Sequence, residues 1–302
     1  MGLKKDEACL VVTDDVLHKI GMMFYEVAAE MCDESLLILM GERTSHAEEP
    51  PVQVAKAMED ADVLLLPTNK SLSHTQARKN ACNNGARVAS MPEISEDILS
   101  RVSESDFGQM AKDCEKWSRS LTATKWVRIT TEKGTDISFS IEGREGMIDD
   151  GNYSSKGSFG NIPSGEAFVA PLEGTANGRI AVDGSMASIG LLEDPIFIEM
   201  EKGYAQNISG GEGARKLLER VSPFGWDARN LAEFAIGTNG SAKLTGNALE
   251  DEKILGTIHM ALGDNATFGG TVSSPSHLDG ILLEPTVFFD DKKVIDKGKW
   301  MI

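Results

Sequence analysis

Residues 125–146, KWVRITTEKGTDISFSIEGREG, decide how the chain divides. Val127 and Ile129, then Ile137, Phe139 and Ile141, recur at every second position, the period of a strand with one buried face. Lys133-Gly134 lies between the two runs and supplies a residue free to take positive φ, so the pair reads as an antiparallel hairpin. Parallel strands, by contrast, need a crossover of roughly a dozen residues or more. Upstream of 125 the pattern is of that second kind, and downstream it is not.

Working back towards the N-terminus, ACLVVT (8–13), LLILM (36–40), DVLLLPTN (62–69) and RVASM (87–91) are short, nearly unbroken apolar runs. Each is separated from the next by a helical stretch. Val16, Ile20, Met23, Phe24, Val27, Ala28 and Met31 repeat at helical spacing over about four turns. Pro50-Pro51 open a helix carrying Val54, Ala55, Met58 and Ala61, and further helices are expected at 75–83, 94–102 and 106–120. Apolar strands buried on both faces and alternating with helices predict a Rossmann-like parallel sheet covered by helices on both faces, with LLILM as a buried strand. Beyond 124 the segments are short, strand-like and punctuated by glycine, with helices only at 212–221 and at 248–255, the latter capped by Asn247. The expected architecture is therefore α/β plus α+β: a Rossmann-like domain over 1–123 and a mostly antiparallel domain with a few helices over 124–302.

The chain has 302 residues, with Lys and Arg totalling 30 against 47 Asp and Glu, a formal net charge of −17. Phosphate recognition needs a basic surface, so nucleic acid is not an expected partner. Cys9, Cys32, Cys82 and Cys114 form no CxxC pair and read as reduced thiols of a cytoplasmic protein. MGLKKDEACLVV at the N-terminus lacks a signal-peptide pattern, and no apolar run approaches the length of a membrane span. The first strand runs into TDDVLHKIG rather than G-x-G-x-x-G, which removes the glycine cradle for a dinucleotide, so no nucleotide cofactor is expected.

Chemistry-bearing residues gather in the second half. In SSPSHLDGI, His277 and Asp279 are two apart, and on an extended segment both project from one face. In GTIHMALGDN, His259 sits on a strand between Ile258 and Met260. Glu166 in NIPSGEAFVAP and Glu233 in NLAEFAIGTN interrupt otherwise apolar strands, where a buried carboxylate needs a compensating cation. That cation is either a metal or an arginine, with Arg179 and Arg229 available. His74, in TNKSLSHT (68–75), is a further candidate for the cleft, or a surface residue at a helix start.

Taken in order, NIPSGEAFVAP, LAEFAIGTN, DEKILGTIHMALGDN and SSPSHLDGILLEPTVFFD resemble the C-terminal domain of the aminopeptidase T/aminopeptidase S family of metallopeptidases. The resemblance implies a metal site made of Glu166, Glu233, His259, His277 and Asp279, holding one or two divalent ions (Zn, Co, Mn or Mg). It departs from the family at 266, where Ala266 stands in place of a tyrosine ligand; the nearby Phe268 carries no oxygen. The expected activity is that of a metal-dependent hydrolase, an aminopeptidase acting on small peptides, with Glu166 or Glu233 as general base and a homodimer by analogy. The 2,5-dihydroxypyridine dioxygenase group is similar to this family. His259, His277 and Asp279 form the two-histidine, one-carboxylate set that suits Fe(II), so a ring-cleaving dioxygenase is the alternative expectation. A metal-binding protein without turnover is the third.

Overall fold

The structure is a computed structural model describing residues 1–302, and it falls into two compact units, Met1–Glu104 with Gly151–Ser164 and Ser105–Asp150 with Gly165–Ile302. The first holds the parallel sheet. Ala8–Asp14 lies between Glu34–Met40 and Val63–Leu66, followed by Arg87–Ser90 and Phe159–Asn161, all parallel. Val11, Val12, Leu64, Leu66, Val88 and Ala89 are fully buried, as two-sided coverage demands. LLILM departs from its expected burial: Leu36 and Leu39 are 59% and 58% exposed. Their strand is the edge of the sheet, so one flank of its backbone has no neighbour. The helix His18–Met31 behaves likewise, burying Ile20, Gly21 and Ala28 while Met23, Val27 and Met31 stay exposed. Gly21 is required there, because a Cβ would come within 2.6 Å of the Thr13 side chain.

The sequence-based boundary after 123 is corrected in two places. Helix Phe107–Ala123 belongs to the second unit, since Trp117 and Leu121 are fully buried in its main core. Phe159–Asn161, assigned to the antiparallel domain from its glycine-rich surroundings, instead completes the parallel sheet, with Val88 N–H donating to Ser158 O at 2.9 Å and Ile162 N–H to Ser90 O at 3.0 Å.

The second unit packs two antiparallel sheets around one core. The eight-stranded sheet includes the hairpin expected at Lys133-Gly134, pairing Trp126–Thr130 with Asp136–Ser140. The seven-stranded sheet runs in the order Gly190–Leu191, Ser185–Met186, His277–Leu282, Ile258–Gly263, Leu231–Gly237, Glu166–Val169, Met147–Asp149. Ala167, Val169, Phe234, Ile236, Ile258, Met260, Leu262, Leu278 and Leu282 supply its core face. Residues alternating with these point to the opposite face, and there the sequence changes character. Helix Glu212–Val221 forms as expected, burying Ala214, Leu217 and Val221. The helix expected over 248–255 stops at Asp251, capped by the Asn247 side chain. No helix is long and apolar enough to cross a membrane.

Candidate metal centre

On the non-core face, register places the polar residues in adjoining rows. Glu166 pairs with Gly237, Ala235 with His259, Glu233 with Ala261, Ala261 with Asp279, and Gly263 with His277. Alanine and glycine thus separate the five chemical groups across four neighbouring strands, and their small size leaves room in the middle. A register shift between Leu231 and Glu233 re-aims Glu233 into that space.

All five expected ligands converge. His259 Nε2 lies 3.3 Å from Glu233 Oε1, 3.4 Å from Glu166 Oε2 and 3.9 Å from Asp279 Oδ1. His277 Nε2 lies 3.3 Å from Glu233 Oε2 and 3.3 Å from Asp279 Oδ1. Donor atoms of Glu166, Glu233 and His259 fall within 4.8 Å of one another, as do those of Glu233, His277 and Asp279, and of Glu252, His259 and Asp279.

The backbone sets which ring nitrogen faces the cluster. His259 Nδ1 is 3.2 Å from Glu252 O, and His277 Nδ1 is 2.8 Å from Asp264 O. A carbonyl can only accept, so Nδ1–H donates in both rings and Nε2 is presented to the carboxylates, as in metal-ligating histidines. Burial disfavours the imidazolium of His259, yet Glu233, Glu166 and Asp279 outweigh it and push its pKa up to about 9. His277 is likewise raised well above its ordinary value against burial, chiefly by Asp279. Burial works against ionisation of Asp279 and Glu233, but the two imidazoles hold both below the usual carboxylate range. The cluster draws positive charge onto Nε2, whether as a proton or as a metal cation.

Two participants were not foreseen. Lys253 is fully buried, its Nζ 2.5 Å from Glu166 Oε1, 2.7 Å from Glu252 Oε1 and 3.7 Å from Asp149 Oδ2. Burial works against its charge, but Glu166, Glu252 and Asp149 raise its pKa well above the ordinary value, so it is an ammonium. Glu252 is pushed up to about 8, by burial first, against the pull of Lys253. The run Glu250-Asp251-Glu252-Lys253 reads as a solvated helix end, yet all four residues are buried. The available signal was four consecutive charges directly before the apolar Ile254 and Leu255. Gly237 lets this segment in: a Cβ there would come within 2.1 Å of Ile254 O, and Asn239 N–H donates to Lys253 O at 2.8 Å.

The arginine alternative fails. Arg179 pairs with Glu199, and Arg229 donates to Ala205 O. Ala266 is exposed, while the Phe268 ring stands edge-on to His277 with centroids 5.7 Å apart and edge-on to Phe168 at 5.8 Å. His74 is an exposed residue of the first unit, just before the helix Gln76–Asn83.

A metal fits this donor set. Glu166 Oε2 is buried with no hydrogen-bond partner, and five carboxylates, Asp149, Glu166, Glu233, Glu252 and Asp279, surround a single ammonium and two imidazoles. An orphaned carboxylate oxygen facing an imidazole nitrogen is costly unless a cation lies between them.

The family pattern of 2,5-dihydroxypyridine 5,6-dioxygenase matches residues 5–302. The 2,5-dihydroxypyridine 5,6-dioxygenase of Pseudomonas putida is 23% identical over 261 residues, covering 80% of this chain and 72% of that protein. Among solved structures, the 2,5-dihydroxypyridine dioxygenase of Pseudomonas putida KT2440 superposes with a TM-score of 0.82 at 18% identity, covering 98% of this chain and 92% of the other. AmpT from Thermus thermophilus gives 0.74 at 16% identity, covering 99% and 95%. The last two likenesses are of fold, and they bear out the mixed architecture. The hydrolase expectation is overturned: the pattern that spans the chain is that of the dioxygenase, and the aminopeptidase and metalloprotease assignments fall with it. The general-base role given to Glu166 or Glu233 belonged to the hydrolase reading. The motifs misled because a set of two histidines and several carboxylates suits more than one metal chemistry, and a shared fold, as with AmpT, does not fix the reaction. The chain belongs to the 2,5-dihydroxypyridine 5,6-dioxygenase family.

Proposed function

We propose that the protein is a non-haem iron(II) dioxygenase that opens the ring of a dihydroxypyridine-like substrate, with His259, His277 and Asp279 holding the metal and Glu233 beside both imidazoles. The observation that carries this reading is the pair of Nε2 atoms, each fixed by a carbonyl on Nδ1 and facing carboxylate oxygens 3.3–3.9 Å away. A two-histidine, one-carboxylate set leaves positions open for oxygen and substrate, and the lack of an oxygen ligand at Ala266 favours such an open site. Iron(II), when bound, supplies the redox chemistry by which O₂ adds to an electron-rich ring.

The remaining work falls to the chain. The carbonyls of Glu252 and Asp264 hold the imidazoles in one tautomer and orientation. Phe268 and Phe168, edge to face, give a flat aromatic substrate an apolar boundary next to His277.

The test is anaerobic loading of metal-free protein with Fe(II), followed by 2,5-dihydroxypyridine and O₂. Oxygen uptake matched mole for mole by loss of the ring absorbance is the expected result. Iron bound at full stoichiometry with no oxygen uptake on any dihydroxylated pyridine or benzene would leave a metal-binding protein without this activity.

A further inference from the structure

The carboxylates define two adjoining cation positions that share Glu166. Its Oε2 faces His259 Nε2 at 3.4 Å, on the side of Glu233, His277 and Asp279. Its Oε1 faces the other way, to Lys253 Nζ at 2.5 Å, on the side of Glu252 and Asp149. A carboxylate that turns one oxygen to each of two cationic positions is acting as a bridge. The second position gathers three carboxylates around Lys253, one of which, Glu252, also lies within 4.8 Å of His259 and Asp279; Lys253 is 0% exposed, and the side chains of Asp149, Glu166 and Glu252 are 8%, 8% and 11% exposed. With two carboxylates within 2.7 Å of Lys253 Nζ and a third at 3.7 Å, this position gathers enough negative charge to attract a hard divalent ion once the ammonium is removed.

We propose that Lys253 is a built-in second cation: its ammonium fills the position between Asp149, Glu166 and Glu252, and thereby limits the centre to one metal ion per chain. Lys253 is a positioning residue. It orients Glu166 so that one oxygen remains for the metal side, and its backbone is anchored by the close approach of Ile254 to Gly237. A lysine suits this task better than arginine would, because an ammonium is a compact point charge that three carboxylates can surround. The inference rests on the metal-centre part of the function proposed above, not on its substrate.

Metal counting tests it without reference to turnover. Wild-type protein and Lys253→Met are stripped of metal, equilibrated with Mn²⁺, and measured by elemental analysis and electron paramagnetic resonance. Wild type is expected to hold one ion with an isolated six-line signal. Lys253→Met is expected to hold two ions per chain with a broadened, exchange-coupled signal. Lys253→Arg restores the positive charge and should return the count to one. Should Lys253→Met fail to fold without metal, Lys253→Gln, which keeps all three carboxylates and can donate hydrogen bonds to them, is counted in its place, with two ions again expected. One ion in the neutral variants, with an unchanged signal, overturns the role of Lys253 and leaves the metal centre standing. No ion in wild type overturns the metal centre itself.

Discussion

Replacing Glu252 with glutamine should make the metal-free protein more stable, even though it removes a partner of Lys253. The carboxyl of Glu252 is pushed from its ordinary value near 4.5 up to about 8, by burial and then by Glu166 and Asp279 against the pull of Lys253. Its folded-state pKa is raised, so the folded protein holds a proton that the unfolded chain releases. Stability from this group is complete below pH 4.5 and declines as pH rises towards 8. Between pH 4.5 and 7 the loss is about 1.4 kcal/mol per pH unit, or about 3 kcal/mol in all. Glutamine reproduces the neutral carboxyl and does not titrate, so Glu252→Gln should exceed wild type by about 3 kcal/mol at pH 7 and match it near pH 4.5. Urea unfolding in the presence of a chelator measures the difference. Intrinsic fluorescence is a suitable probe, because all four tryptophans, at 117, 126, 226 and 300, lie in the second unit. Saturating Mn²⁺ should narrow the gap, since a nearby cation favours the ionised carboxylate. A variant equal to or weaker than wild type at pH 7, or a gain independent of pH, would refute the reasoning.

His277→Ala removes a nitrogen that no neighbouring residue replaces, and the affinity for Fe(II) or Mn²⁺ should fall by about 100-fold or more, read by competition with a coloured chelator; unchanged affinity would mean the imidazole is not a ligand. Gly237→Ala drives a methyl to within 2.1 Å of Ile254 O and should cost about 1–3 kcal/mol in urea unfolding while weakening metal retention by displacing Lys253. In the first unit, the hydrogen bonds from Arg87 at 2.6 and 2.9 Å hold the Glu7 carboxyl down at about 2. The lowered pKa means its contribution is present above pH 4.5 and lost as pH falls towards 2, so Glu7→Gln should cost about 1–3 kcal/mol at pH 7 and nothing near pH 2, followed by denaturant titration at the two pH values.

Much of this architecture was legible because period-2 and period-3.6 patterns report burial directly. The hairpin at Lys133-Gly134, the helix Glu212–Val221 and the strand bearing His259 all formed where their patterns placed them. Burial marked Glu166 and Glu233 as needing a compensating cation, but the set of five was legible only through the resemblance of its four ordered motifs to a metallopeptidase family, and the five do converge. What was not legible depends on neighbours distant in sequence. The apolar run 36–40 does not reveal that it ends a sheet, since edge and centre differ only in the strand beside them. Lys253 was hidden because charged runs are usually solvated; its burial is set by Gly237 and three carboxylates, two of them from strands about a hundred residues away. The reaction was not legible either, for the ligand set constrains the metal more tightly than it constrains the substrate.

The route of the polypeptide between its two bodies has a consequence for biogenesis. It passes from one to the other at 104/105, again at 150/151 and a third time at 164/165, so no single scission can release either body whole. As the nascent polypeptide leaves the ribosome, Arg87–Ser90 emerges long before its neighbour Phe159–Asn161, and Tyr153 before the Asn161 carbonyl to which its hydroxyl donates at 2.6 Å. The first 104 residues therefore wait one strand short, with a bare sheet margin, until the stretch containing Asp149 has also been synthesised. Completion of the first body's sheet thus waits on translation of Ser105–Asp150, a piece of the second body made before any of the metal ligands.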